Sequence, residues 1–171
     1  TTGETATLTN EEKKEVIQCI KHKNANRVPL VIGIGGNNTT ELVHQLENFD
    51  FTGFTAVLSV SPYYNKPSQQ GIIQHYTLLA KASALPIILY NVPGRTGSNL
   101  TAQTTLHLAH EIPNICGIKE ASGNMEQIMQ IIKNKPSDFM VISGDDNLTL
   151  PIIAAGGWGV ISVTANAFTK D

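Results

Sequence analysis

The sequence predicts an α/β protein built on a parallel sheet, and three observations predict it. Six short apolar runs rich in β-branched residues recur along the chain, segments with helical spacing separate them, and glycines and polar residues gather where each run ends. Runs that stay apolar on consecutive residues belong to strands covered on both faces, and in a strand–helix alternation that means parallel pairing. Two folds satisfy this pattern, an open doubly wound sheet and a closed (β/α)8 barrel. Both place their sites at the carboxyl ends of the strands.

The chain opens on the loop sequence TTGE and a helix over 10–24, begun by Thr9 three residues before Glu12, the spacing of a capping box. PLVIGIG at 29–35 reads as a strand and 39–50 as a helix. FTAVLSV at 54–60 leads to a helix over 68–83 with Ser68 as N-cap, and PIILYNV at 86–92 to one over 101–112 capped by Thr101. NICGIKE at 114–120, a helix over 125–135, FMVISGD at 139–145, a short helix over 147–156 and GVISVTA at 159–165 complete the series. Six units are fewer than the eight of a barrel, so in the barrel reading the chain holds part of one.

With 171 residues and 41% hydrophobic content, the chain suits a single domain. Charged residues are only 15% and the net charge is −2, which argues against nucleic acid or an anionic membrane as the main partner. No apolar run approaches the roughly 20 residues that span a bilayer, and the start does not resemble a signal peptide, so a soluble protein is expected. Cys19 and Cys116, in a helical and a strand pattern, read as reduced core thiols and point to the cytoplasm.

Several motifs carry chemistry as well as an ordinary structural reading. GIGGNN, Gly33 to Asn38, follows a strand and opens a helix, as phosphate-cradling loops do. Asn38 stands where a dinucleotide fingerprint needs its third glycine, and the next strand ends in Ser59 and Val60 without the acid that holds a ribose, so a tight turn is the better account. His107 and His110 are three apart on one helix, but no third metal ligand is evident. Asp145 and Asp146 end a strand, where an acidic pair can hold a cation or cap a helix. No metal is expected.

Lys119 stands at the tip of an apolar strand. Strict alternation puts Ile115, Gly117 and Lys119 on one face, with Cys116, Ile118 and Glu120 on the other. In the preceding strand Ile88, Tyr90 and Val92 share a face, so an inward orientation brings the lysine and the tyrosine together at a barrel mouth. A lysine desolvated there is driven toward its neutral form and can condense with a carbonyl as a Schiff base. Tyr90 can then shuttle protons while an enamine attacks an aldehyde. The competing reading is a lysine that snorkels from the strand end to pair with Glu120 or the Asp145 pair, and spacing alone does not separate the two. Hydroxyls at Thr1, Thr2 and Tyr64 and the planar fork of Arg95 also lie at strand ends.

The segments TTGETATL, SVSPYYNKPSQQG, ILYNVPGRTG, GIKEASGN, ISGDD and GVISVTAN, in this order, resemble the dihydrodipicolinate synthase branch of the pyruvate-dependent class I aldolases, relatives of N-acetylneuraminate lyase. The resemblance covers essentially the whole chain and implies a (β/α)8 barrel that condenses pyruvate with L-aspartate 4-semialdehyde to 4-hydroxy-tetrahydrodipicolinate, toward diaminopimelate and lysine. It implies Lys119 as the Schiff-base residue, Tyr90 as proton donor and acceptor, and Thr1 and Tyr64 as the rest of a relay, Tyr64 reaching a neighbouring subunit's site. It implies Thr2 and the backbone of Ile161 on the pyruvate carboxylate, Gly144 lining the pocket and Arg95 receiving the semialdehyde carboxylate. A feedback site for lysine would fall on Thr5, Ala6, Asn10, Lys13, Gly35, Asn37, Glu41 and Tyr63. No cofactor is implied, and a homotetramer built from two tight dimers is. The family barrel also has strands before the position of Thr1 and helices after that of Asp171, so residues 1–171 are expected to be a single-domain partial barrel. The alternatives are an aldolase acting on a keto-sugar acid, a nucleotide-binding doubly wound domain, and a noncatalytic module that keeps the fold but not the site.

Overall fold

A computed structural model describes residues 1–169; Lys170 and Asp171, at the end of the predicted domain, lie outside the described residues. The elements follow as α1 (Asn10–Asn24), β1 (Val31–Gly33), α2 (Thr39–Asn48), β2 (Ala56–Val60), α3 (Gln69–Ala82), β3 (Ile87–Asn91), α4 (Pro93–Thr96), α5 (Ala102–Glu111), β4 (Ile115–Glu120), α6 (Met125–Asn134), β5 (Met140–Ser143), α7 (Thr149–Ala154) and β6 (Gly159–Val160). The predicted helix starts carry their caps. The Thr9 hydroxyl accepts from the Glu12 N–H at 3.2 Å while the Glu12 carboxylate accepts from the Thr9 N–H at 2.7 Å. Ser68 and Thr101 accept from Gly71 and Thr104 in the same way. Asn38 and Asn124 cap α2 and α6. Each such cap contributes about 1 kcal/mol.

All neighbouring strands are parallel and the sheet order is β1-β2-β3-β4-β5-β6. A doubly wound sheet reverses its order at the crevice that binds ligand. This sheet never reverses. Its packing makes the same distinction: one apolar cluster joins outward strand residues such as Val57, Leu89, Ile118 and Val141 to Leu46, Tyr76, Leu108 and Ile131 of the helices. The other holds Ala56, Ile88 and Ile142 with Leu58, Cys116, Met140 and Ile161, and no helical residue. Helices therefore cover one face of the sheet and strand side chains fill the other, as in a (β/α)8 barrel. The six strands form part of that barrel, with β1 and β6 each paired on one side only, and with Val31 and Val160 exposed.

Strict alternation fails at one place. Ile87 pairs with Ile115 but Ile88 pairs with Gly117, so β4 carries one extra residue at Cys116. An extra residue resets which side chains face which way. Ile115 accordingly packs with the helices and Cys116 with the lumen cluster, the reverse of the predicted faces, while Gly117 and Lys119 keep theirs. A side chain on Gly117 would begin 2.7 Å from the Met140 carbonyl oxygen, so glycine is required there by the close approach of β4 to β5. Cys19 departs from its predicted place in the core. It is exposed on α1, whose apolar Val16 and Ile20 are also exposed and whose one buried residue is Asn24.

Candidate active site

The site forms where β3 and β4 end. Tyr90 and Lys119 are register partners across these strands, and both point to the lumen side. Lys119 is buried, 7% exposed, with its Nζ 4.4 Å from the centroid of the Tyr90 ring. Among the described residues the lysine–carboxylate ion pair is that of Lys21 with Asp50, at 3.9 Å, so Lys119 is not paired with an acid. The snorkelling reading fails on that point. Glu120 faces the helices and the Asp146 carboxylate accepts from the backbone N–H groups of Val163 and Thr164 at 3.2 and 3.0 Å, while no ion pair to Asp145 forms among the described residues. Hydrogen bonds from Ser162, Thr164 and Val163 hold Asp146 down at about 2.

Three further predicted residues join this pair. The Tyr90 hydroxyl lies 3.3 Å from Thr1 Oγ1, within hydrogen-bond distance. A side chain on Gly144 would begin 3.0 Å from Lys119 Cε and 2.7 Å from Ala121 Cβ, so this glycine makes room for the lysine stem. Arg95 stands exposed on α4, a short helical turn with Pro93 at its start and Gly97 closing it at φ +71°. A cleft of about 400 Å³ opens here, lined by Thr1, Tyr90 and Arg95 together with Lys13, Gly35 and Tyr63. Thr5 and Ala6 also line it. Five of the eight residues predicted for a regulatory site thus border the same opening as Thr1 and Tyr90. Of the other three, Asn37 donates to the Tyr63 carbonyl at 3.2 Å, Glu41 lies in the first turn of α2, and Asn10 is the first residue of α1.

Other predicted residues are not gathered in. Tyr64 is 88% exposed at φ +73° and does not line the cleft. Thr2 is exposed. Ile161 packs in the lumen cluster, but its N–H donates to the Ser143 carbonyl at 2.9 Å, so that N–H is not free to hold a carboxylate as expected. Gly35 lies tight against β2, where an added Cβ would begin 2.8 Å from the Val60 N, which fits the tight turn that the sequence predicts. His110 Nε2 is 3.0 Å from the Asn134 carbonyl, and among the described residues no three His, Cys, Asp or Glu side chains converge on a metal position.

Sequence reasoning placed Glu120 outward but missed what meets it there. Its carboxylate accepts from Asn91 Nδ2 at 3.0 and 3.2 Å, from Gln127 Nε2 at 3.0 Å and from the Ser122 N–H at 2.9 Å. Burial pushes the Glu120 carboxyl above its usual range, opposed by the hydrogen bonds from Ser122, Asn91 and Gln127. The signal available was a carboxylate predicted on a helix-covered face, which must find donors.

The sequence matches the dihydrodipicolinate synthetase family over residues 1–171. A 4-hydroxy-tetrahydrodipicolinate synthase of Flavobacterium psychrophilum is 57% identical over 100% of this chain and 58% of its own length. Among solved structures, the dihydrodipicolinate synthase of Thermotoga maritima superposes with a TM-score of 0.94 at 38% identity, covering 99% of this chain and 58% of that one. The chloride-inhibited Acinetobacter baumannii enzyme complexed with pyruvate gives 0.93 at 44% identity, with 99% and 58% covered. The Cyanidioschyzon merolae enzyme with lysine bound gives 0.90 at 46% identity, with 96% and 56% covered. The chain spans 58% of the length of the Flavobacterium relative, and its barrel strands superpose on the corresponding part of these folds. By the match across its whole length, the chain belongs to the dihydrodipicolinate synthetase family.

Proposed function

We propose that the intact enzyme condenses pyruvate with L-aspartate 4-semialdehyde through a Schiff base on Lys119, giving 4-hydroxy-tetrahydrodipicolinate for diaminopimelate and lysine synthesis. The observation that carries this reading is the buried Lys119 amine, without an acid partner and 4.4 Å from the ring of Tyr90, whose hydroxyl in turn meets Thr1. The names of the relatives and the pyruvate bound in the Acinetobacter baumannii enzyme support the substrates.

In this mechanism the amine adds to the pyruvate ketone and water leaves, forming an iminium. Loss of a methyl proton gives the enamine, whose carbon attacks the aldehyde of the second substrate, and the new alkoxide takes up a proton. The amino group of that substrate then attacks the imine carbon, closing the ring and releasing Lys119. Tyr90 moves the protons, relayed through Thr1 and through Tyr64 supplied by a neighbouring subunit of a homotetramer. Thr2 holds the pyruvate carboxylate, Gly144 shapes the pocket, and Arg95 receives the carboxylate of the semialdehyde as a planar fork. No step calls for a metal or cofactor. Among the described residues no helix is long and apolar enough to cross a membrane, and we assign the enzyme to the cytoplasm on the strength of its unpaired Cys19 and Cys116.

Borohydride reduction of the intact enzyme in the presence of pyruvate, followed by mass spectrometry of peptides, tests the reading. A reduced pyruvate adduct is expected on Lys119. An adduct on another residue, or none, overturns it.

A further inference from the structure

We propose that Asn91 and Glu120, on the helix-facing side of the sheet, are positioning residues that hold Tyr90 and Lys119 in register for reaction. The inference rests on the Schiff-base reading above. Asn91 pairs with Glu120 one step beyond the pairing of Tyr90 with Lys119, so the two pairs are successive rungs of one ladder facing opposite ways. Both residues are fully buried. The Asn91 amide reaches both carboxylate oxygens, and no such contact survives if either strand slips, because a one-residue slip turns every side chain to the other face.

The contact extends to the rest of the site. Asn91 Oδ1 accepts from the Leu100 N–H at 3.0 Å and Asn91 Nδ2 donates to Asn99 Oδ1 at 2.8 Å, closing the loop that carries α4 and Arg95. Gln127 donates to Glu120 and accepts from Asn99 Nδ2 at 2.8 Å, tying α6 to the same point. One carboxylate thus gathers the ends of β3 and β4, the Arg95 loop and α6. A buried carboxylate is a costly way to fill a core position that an apolar side chain could pack. What it adds over an apolar residue is direction, since each donor is met at one place only.

The experiment compares the rate constant and the end point of pyruvate-dependent borohydride trapping on Lys119 in the intact enzyme. In Glu120→Gln the amide presents a donor to Asn91 and Gln127, which already donate. Trapping is expected to slow by about tenfold or more, in line with the cost of misplacing a catalytic group, and to reach the full end point. The pyruvate concentration that half-saturates trapping should stay within about threefold, because Thr1 and Thr2 are untouched. A purely structural role predicts the opposite split, a reduced end point at an unchanged rate constant, and that result overturns the proposal. Should Glu120→Gln not fold, Asn91→Ser carries the test, removing the amide from Glu120 while Gln127 and the Ser122 N–H stay on the carboxylate: slower trapping at full end point supports the proposal and an unchanged rate constant overturns it. Wild-type enzyme that is not trapped on Lys119 overturns the Schiff-base reading itself, whereas trapping of wild type and variants at equal rates sinks the positioning role alone.

Discussion

At the scale of single residues, burial decides what each ionisable group does. Lys119 and Glu120 are neighbours in sequence and both buried, yet one faces an aromatic ring and the other four hydrogen-bond donations. His75 shows the same control outside the site. It is 3% exposed, its Nδ1 lies 2.7 Å from Thr39 Oγ1, and its Nε2 has no partner among the described residues. Burial lowers its pKa from 6.5 to about 4. Between those two values the unfolded chain takes up the proton and the folded one does not, so stability is full above pH 6.5, falls as the pH drops and levels off below about 4. The loss over that window is about 3 kcal/mol, at 1.36 kcal/mol per unit. Urea unfolding of the intact protein at a series of pH values should show this loss, and His75→Gln should lack this component; an equal acid loss in the variant would rule the assignment out.

At the scale of elements, the geometry that matters is where strands end and what the next turn carries. The inward face of Tyr90 and Lys119 was legible because period-two alternation needs only the sequence. Ile115 was misplaced because the extra residue at Cys116 leaves no mark in an unbroken apolar run, and it arises from pairing with β3, a contact distant in sequence. The Asn91–Glu120 contact was hidden for the same reason: each residue is polar in a strand, and only their alignment shows that they meet. The turn α4 has four residues, too few to show helical periodicity, although Pro93 and Gly97 mark its two ends. Gly97 also lets Lys66 lie close, since a side chain there would begin 2.9 Å from Lys66 Cε. This turn offers Arg95 to the cleft, whose lining includes Thr1 and Tyr90. Arg95→Ala should therefore raise the KM for the semialdehyde by about tenfold or more, the cost of losing a charge-assisted contact, and leave pyruvate trapping on Lys119 at the wild-type rate. Equal damage to both would favour an aldolase that uses Arg95 in another way.

At the scale of the whole molecule, the cleft brings together two sets of residues that lie in separate sequence motifs. Thr1, Tyr90 and Arg95, the residues proposed for the reaction, line it together with Thr5, Ala6, Lys13, Gly35 and Tyr63. A ligand seated against the second group would therefore lie close enough to disturb the relay through Tyr90 and Thr1. In the Cyanidioschyzon merolae relative, lysine is the bound molecule. This chain offers a free lysine a poor counterpart, because half-buried Lys13 lines the opening and repels the ligand's ammonium groups, Asn10 carries no charge, and the one acid of the lining, Glu4, is outnumbered by Lys13 and Arg95. L-lysine is thus expected to inhibit the intact enzyme weakly or not at all at concentrations that leave the substrates unsaturating. Lys13→Glu, which replaces a repelling charge with an attracting one, should make inhibition stronger by about tenfold, the effect of removing a like charge at short range. Titration of both proteins with L-lysine decides the matter: strong inhibition of the unmodified enzyme would show that the ammonium groups avoid Lys13, and with it that feedback in this enzyme does not depend on the charge at that position.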